Sequence, residues 1–143
     1  MKTLSFTLPL SVRFSETDAM GVIWHGNYLK YFEDAREEFG KRYNLEYISI
    51  HQQGYFVPIV KSEIEHKASV YYGEEIEIFI ELIQLKSAKI LFNYKVYSKS
   101  TRILVAQGST TQVFLDKTTR TLELNKPDFY TLWEKEQTWI ERE

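Results

Sequence analysis

Between Asn27 and Tyr43 the apolar residues Phe32, Ala35, Phe39 and Tyr43 recur at spacings of three and four, which places them on one stripe of a helix. Past Gly54 the period falls to two. Val60, Ser62, Ile64, His66 and Ala68 alternate with Ile59, Lys61, Glu63, Glu65 and Lys67, and Ile76, Ile78, Ile80 and Leu82 alternate with Glu75, Glu77, Phe79 and Glu81. Each run reads as a strand with one buried face. Lys86 and Ser87 interrupt the alternation before Ile90, Phe92, Tyr94 and Val96 resume it, which predicts a hairpin, and Ile103–Leu115 adds another long strand. An early strand, Phe6–Phe14, precedes a polar, glycine-containing loop from Ser15 to Gly26. One helix ahead of consecutive long strands predicts an α+β fold, an antiparallel sheet curled around a central helix.

Smaller signals refine the outline. Asn27 is the expected N-cap of the helix, without a capping box because Lys30 stands at N3. Glu37 with Lys41 and Glu38 with Arg42 are expected i,i+4 pairs on its polar face. A second helix is expected over 127–141, with Pro127 in its first turn and Phe129, Leu132, Trp133 and Trp139 as its apolar residues. No repeat or linker divides the 143 residues, so one domain spanning 1–143 is expected.

Composition narrows the function. A net charge of −2 argues against a nucleic-acid partner, and zero cysteines exclude a thiolate nucleophile and a Cys-ligated metal. No apolar run approaches the roughly 20 residues of a membrane span, and the first ten residues carry no cleavage signal, so a cytoplasmic protein is expected. No H-E-x-x-H or paired-His pattern occurs and His51 and His66 lack a triad spacing, so no metal site or cofactor is expected, and His66 reads as a strand residue satisfied by a hydrogen bond.

The segment VRFSETDAMGVIWHGNYLKYFEDAR, Val12–Arg36, carries the chemistry. It sets Asp18 three residues before Gly21, then Val22, Ile23, Trp24 and His25, with Asn27 and Tyr28 opening the helix. This pattern resembles the 4-hydroxybenzoyl-CoA thioesterase family and its YbgC-like branch, and the run YFVPIVKSEIEH and the pair Lys86–Ser87 extend the likeness. The resemblance implies a single hotdog domain, a five-stranded antiparallel sheet wrapped around a long central helix, working as a homodimer or homotetramer with sites at the dimer interface. It implies hydrolysis of an acyl-CoA thioester, with Asp18 as nucleophile or general base and the main-chain N–H of His25 polarising the carbonyl. Gly21, Trp24, Asn27 and Tyr28 are the implied substrate-side residues, and Lys86 the implied contact to a coenzyme A phosphate. Gln84 and Leu85 stand where the family example places arginines, which leaves room for an acyl-carrier-protein thioester.

Physical chemistry supports the same parts: thioester hydrolysis needs a nucleophile or base and a positive environment for the oxygen that gains charge, and a helix start supplies the second. Each residue also has a plainer reading. Asp18 suits a turn, Glu16 a loop charge, Asn27 a cap, and Trp24 and Tyr28 a core. Two other functions share such a fold, an acyl-thioester dehydratase or hydratase and a non-catalytic acyl-ligand binding protein.

Overall fold

Ile76, Ile78, Ile80 and Leu82 have no exposed surface in the computed structural model, which describes residues 1–143. They form the inner face of β4 (Glu75–Ile83), and full burial of each contributes roughly 2 kcal/mol. The sheet is completed by β1 (Lys2–Ser11), β3 (Ile59–His66), β5 (Lys89–Ser98), β6 (Leu104–Val113) and a two-residue β8 (Ile140–Glu141). Its order is β3-β6-β5-β4-β1-β8, and all neighbours are antiparallel. A separate two-stranded piece pairs β2 (Tyr55–Phe56) with β7 (Leu115–Asp116). Helix α1 (Asn27–Tyr43) lies against β1 and β4, followed by α2 (Tyr47–Gln52), and α3 (Asp128–Glu136) comes late in the chain. The five long strands around α1 are the hotdog arrangement.

Phe32, Ala35 and Phe39 are buried where α1 meets the sheet. Phe32 stacks on Tyr94 at 4.0 Å and 8°, and a Cβ on Gly108 would come within 2.9 Å of its ring and 2.2 Å of the Glu63 carbonyl. The glycine therefore lets helix and sheet approach closely. Tyr94 is satisfied by Thr110 Oγ1 at 2.7 Å and by Arg36, whose Nη1 donates at 3.0 Å.

Several expectations need correction. The first strand runs from Lys2 to Ser11 rather than Phe6–Phe14, because Thr3–Ser11 pair continuously with β4 and the chain then turns into a short 3₁₀ segment at Phe14–Glu16. The last long strand ends at Val113, not Leu115. The C-terminal helix stops at Glu136 rather than 141: Trp139 Nε1 donates to the Glu134 carbonyl at 2.8 Å, and the chain extends into β8, which pairs with Lys2 and Thr3. Pro127 precedes that helix with an extended ψ of 147° instead of sitting in its first turn. Of the two expected pairs on α1, Glu37–Lys41 forms at 4.0 Å, while Glu38 takes Lys41 at 3.3 Å rather than Arg42.

The largest departure is β3. Its alternation predicted a buried face, yet only Ile64 is half-buried and every other residue is exposed. The strand is the outermost of the sheet, beyond the cover of α1, and it leaves Ile59 and Val60 in solvent. The opposite margin is closed by the tail, where the N-terminal ammonium meets Glu141 at 2.7 Å and Arg142 pairs with Glu81.

Candidate active site

The loop between β1 and α1 folds back on itself as two short arms. Asp18 N donates to the Val22 carbonyl and Trp24 N to the Glu16 carbonyl, both at 2.9 Å, with Thr17 opposite Ile23. Its tip is a turn in which Met20 N donates to Asp18 Oδ1 at 2.8 Å and Gly21 N to the Asp18 carbonyl at 2.9 Å. Asp18 is thus the turn residue its plainer reading expects, and its Oδ2 is left without a protein partner. Gly21 sits at φ +78°, the left-handed region expected for a sharp turn. Bonds from Ile23 N to the Val70 carbonyl and from Tyr72 N to the Gly21 carbonyl anchor the loop to the turn before β4.

A Cβ at Gly21 meets nothing within 4 Å, so Gly21→Ala tests backbone strain alone. The left-handed residue costs about 1 kcal/mol, which for a chain of this size is a fall in Tm of roughly 3 °C. An unchanged Tm would show that the turn relaxes without cost.

At the other end of the loop the amides of His25 and Gly26 donate to no carbonyl or side chain. Unpaired amides at a helix start carry partial positive charge and can stabilise an oxygen that becomes negative. Gly26 flanks α1, and the Trp24 ring lies where a Gly26 Cβ would be, 2.3 Å from that position, so the glycine admits the indole. Trp24 remains about half exposed. His25 is exposed beside it, their rings 5.2 Å apart.

Asn27 is not the N-cap. It is the first helical residue, 6% exposed, and its Nδ2 donates to the Glu16 carbonyl at 2.7 Å, which turns the side chain away from the free amides of the helix. Glu16 is more than a loop charge, since its carboxylate also accepts from Arg13 N at 2.8 Å. Tyr28 is buried, and burial, with Glu74 nearby, pushes its hydroxyl up to about 12. Burial, and then the Glu16 charge, likewise raise Tyr31, whose hydroxyl has no hydrogen-bond partner. Both phenols therefore stay protonated at neutral pH, where each hydroxyl can donate or accept a hydrogen bond but cannot serve as a phenolate base.

His66 joins this group, which the sequence reading missed. It makes no side-chain hydrogen bond; its ring meets Tyr28 edge-on at 5.2 Å and His25 at 6.1 Å. A signal for this was present, because His66 shares its strand parity with Ile64 and lies opposite Ala106, on the helix-facing side. His51 is elsewhere, on α2 against Phe56.

One chain does not bring Lys86 to Asp18. The lysine is exposed on the β4–β5 hairpin, beyond Ile83, whereas the Asp18 loop leaves β1 at Ser11, opposite Glu75. The nine residues of β4 separate the two ends, roughly 30 Å. A cavity of about 690 Å³ also lies away from Asp18, between α1, α2 and the start of β3, with Arg36, Phe39, Ile50, Val57, Ile59 and Phe92 among its walls. No helix is long and apolar enough to cross a membrane.

An antiparallel sheet wrapped around one long helix is a fold shared with solved thioesterases, and sequence comparison places the chain in the same superfamily. The profile of the Thioesterase-like superfamily matches residues 12–133, and the chain belongs to that superfamily. It is 29% identical over 136 residues to a 1,4-dihydroxy-2-naphthoyl-CoA hydrolase of Nostoc punctiforme, covering 91% of this chain and 86% of that one. It is 23% identical over 104 residues to the acyl-CoA thioester hydrolase YbgC of Escherichia coli O157:H7, covering 73% and 78%. Among solved structures, a DHNA-CoA thioesterase from Staphylococcus aureus superposes with a TM-score of 0.80 at 25% identity, over 92% of this chain and 89% of that one.

Proposed function

We propose that this protein hydrolyses acyl-CoA thioesters to a carboxylic acid and free coenzyme A, with Asp18 as the catalytic carboxylate and the His25 amide as the oxyanion donor. The observation that carries the reading is the pairing of a loop carboxylate, one oxygen unengaged, with a helix start whose first amides are unpaired. The named activities of the relatives support it. Two routes suit this pairing. Asp18 Oδ2 adds to the thioester carbon and the C–S bond breaks; water then cleaves the acyl–Asp18 anhydride, and one proton passes to the thiolate. Alternatively, Asp18 takes a proton from a water whose oxygen attacks that carbon, and the proton passes to the departing sulfur. In either route the carbonyl oxygen gains charge, where the His25 amide would stabilise it by roughly 3 kcal/mol.

The test is a panel of acyl-CoA substrates, aromatic and aliphatic, followed by release of the coenzyme A thiol. The chain has no cysteine, so a thiol reagent reads the product without background from the protein. Turnover of at least one member is expected, and none across the panel would overturn the reading. An enoyl-CoA belongs in the panel because two imidazoles, His25 and His66, stand near the helix start; hydration without thiol release would favour the hydratase.

The active unit in this proposal is a dimer joined through β3, or a tetramer of such dimers. An exposed outermost strand with unpaired backbone groups and the apolar side chains Ile59 and Val60 favours antiparallel pairing with a second copy. That pairing inverts the ends of the sheet, so the partner's Lys86 hairpin and the cavity beside Ile59 would approach this chain's His66 end. This is how Lys86 could meet the phosphates of a substrate held at Asp18. The chain mass is 17.0 kDa, so light scattering at working concentration should give at least about twice that value. A monomer would remove both the assembly and the shared site.

A further inference from the structure

We infer that Asn27 is a positioning residue that holds the Asp18 arm against the helix start through the Glu16 carbonyl, rather than a group that touches substrate. The inference rests on the proposed role of Asp18. Three hydrogen bonds join the arm carrying Asp18 to the arm leading into α1: Asp18 N to the Val22 carbonyl, Trp24 N to the Glu16 carbonyl, and Asn27 Nδ2 to that same Glu16 carbonyl. The Asn27 bond is the shortest of them at 2.7 Å, and it alone comes from within the helix. With two donors the Glu16 oxygen uses both of its lone pairs. The helix-start amides and Asp18, two residues beyond Glu16, are thereby held in one frame, and small displacements of such groups lower turnover steeply.

The residue type points the same way. Asparagine is a weak helix former, and a first-turn position facing the positive end of the helix would favour aspartate on electrostatic grounds. Aspartate has no N–H to donate, however, and would turn a carboxylate oxygen towards the Glu16 carbonyl. The amide is the side chain of this size that can make the observed bond, and its burial shields the bond from water.

Asn27→Asp and Asn27→Ala, made in the full chain, test this on the acyl-CoA that the protein turns over best. Both should lower kcat about 10- to 100-fold while KM stays within about twofold, with unchanged circular dichroism. In an Asp18→Asn background the further loss from Asn27→Asp should be under about threefold, because the residue acts through Asp18. Purely structural damage would lower the amount of folded enzyme in both backgrounds alike. Asn27→Asp matches the shape of asparagine and decides the matter if Asn27→Ala does not fold. A kcat within about twofold of wild type, or a KM raised more than about tenfold at constant kcat, overturns the inference. Full activity in Asp18→Asn would instead overturn the proposed mechanism, so the two failures are separable.

Discussion

Replacing Asp18 with asparagine is expected to lower kcat by about 10³-fold, the middle of the range for losing a positioned base, and equivalent to about 4 kcal/mol in the barrier. The substitution is close to isosteric. Asparagine keeps an Oδ1 that can accept from Met20 N, so the turn at Met20–Gly21 and the bond from Gly21 N to the residue 18 carbonyl should survive. What disappears is the charge on Oδ2, the oxygen with no protein partner. The fold should be unaffected, with Tm within about 2 °C of wild type, since the loop is anchored at Val70 and Tyr72 rather than through that oxygen. The measurement is steady-state release of coenzyme A from the best substrate of the panel. Activity within about threefold of wild type would mean that Asp18 is only the turn residue its local sequence suggests.

The second large effect is on stability. Phe32→Ala should cost about 4 kcal/mol, a large share of the 5–15 kcal/mol that separates most folded domains from their unfolded chains. Phe32 is fully buried and fills the space above Gly108, where β6 has no side chain of its own, while its ring stacks on Tyr94. Removing it leaves a void that Gly108 cannot fill, strips one face from Tyr94, and loosens the bonds from Tyr94 to Thr110 and Arg36. At roughly 3 °C per kcal/mol for a chain of this length, Tm should fall by roughly 12 °C, followed by calorimetry or circular dichroism. Phe32→Leu, which retains most of the volume, should cost less than half as much. A fall under about 3 °C for the alanine variant would show that the sheet closes onto the helix without the ring.

The contrast between β4 and β3 shows what was legible in the sequence. Ile76, Ile78, Ile80 and Leu82 alternate with acids and one phenylalanine, and their strand lies in the middle of the sheet, so local pattern and global position agree. Ser62, Ile64 and His66 alternate just as regularly, but a strand's pattern does not state its place in the sheet, and at the margin Ser62 and His66 stay exposed and Ile64 is only half-buried. The bounds of α1 were readable because Phe32, Ala35 and Phe39 keep strict helical spacing and Asn44 ends it in the left-handed conformation. Its cap was not. A side chain that reaches eleven residues back to Glu16 is invisible to rules that consider only the next turn. The tail was misread for a similar reason, since the strand partners that form β8 come from β1, at the other end of the chain.

The site divides likewise. The two-arm loop from Glu16 to Trp24 is local, and the positive φ of Gly21 agrees with the glycine expected at its turn. His66 and the separation of Lys86 from Asp18 are consequences of strand order, which the motif alone does not contain.

The closed margin of the sheet has a consequence for how copies can accumulate. A protein with two free strand edges can add molecules at both sides indefinitely, as fibres do. Here β8 lies over Lys2 and Thr3, and further along the same strand Pro9 has no N–H to offer an incoming chain. The tail and Pro9 thus leave only Leu4–Leu8 of that margin able to pair, whereas β3 offers all eight of its residues, so strand addition is favoured at β3. The tail that the sequence presented as a helix thus shortens one edge of the sheet and biases strand-to-strand pairing towards the other.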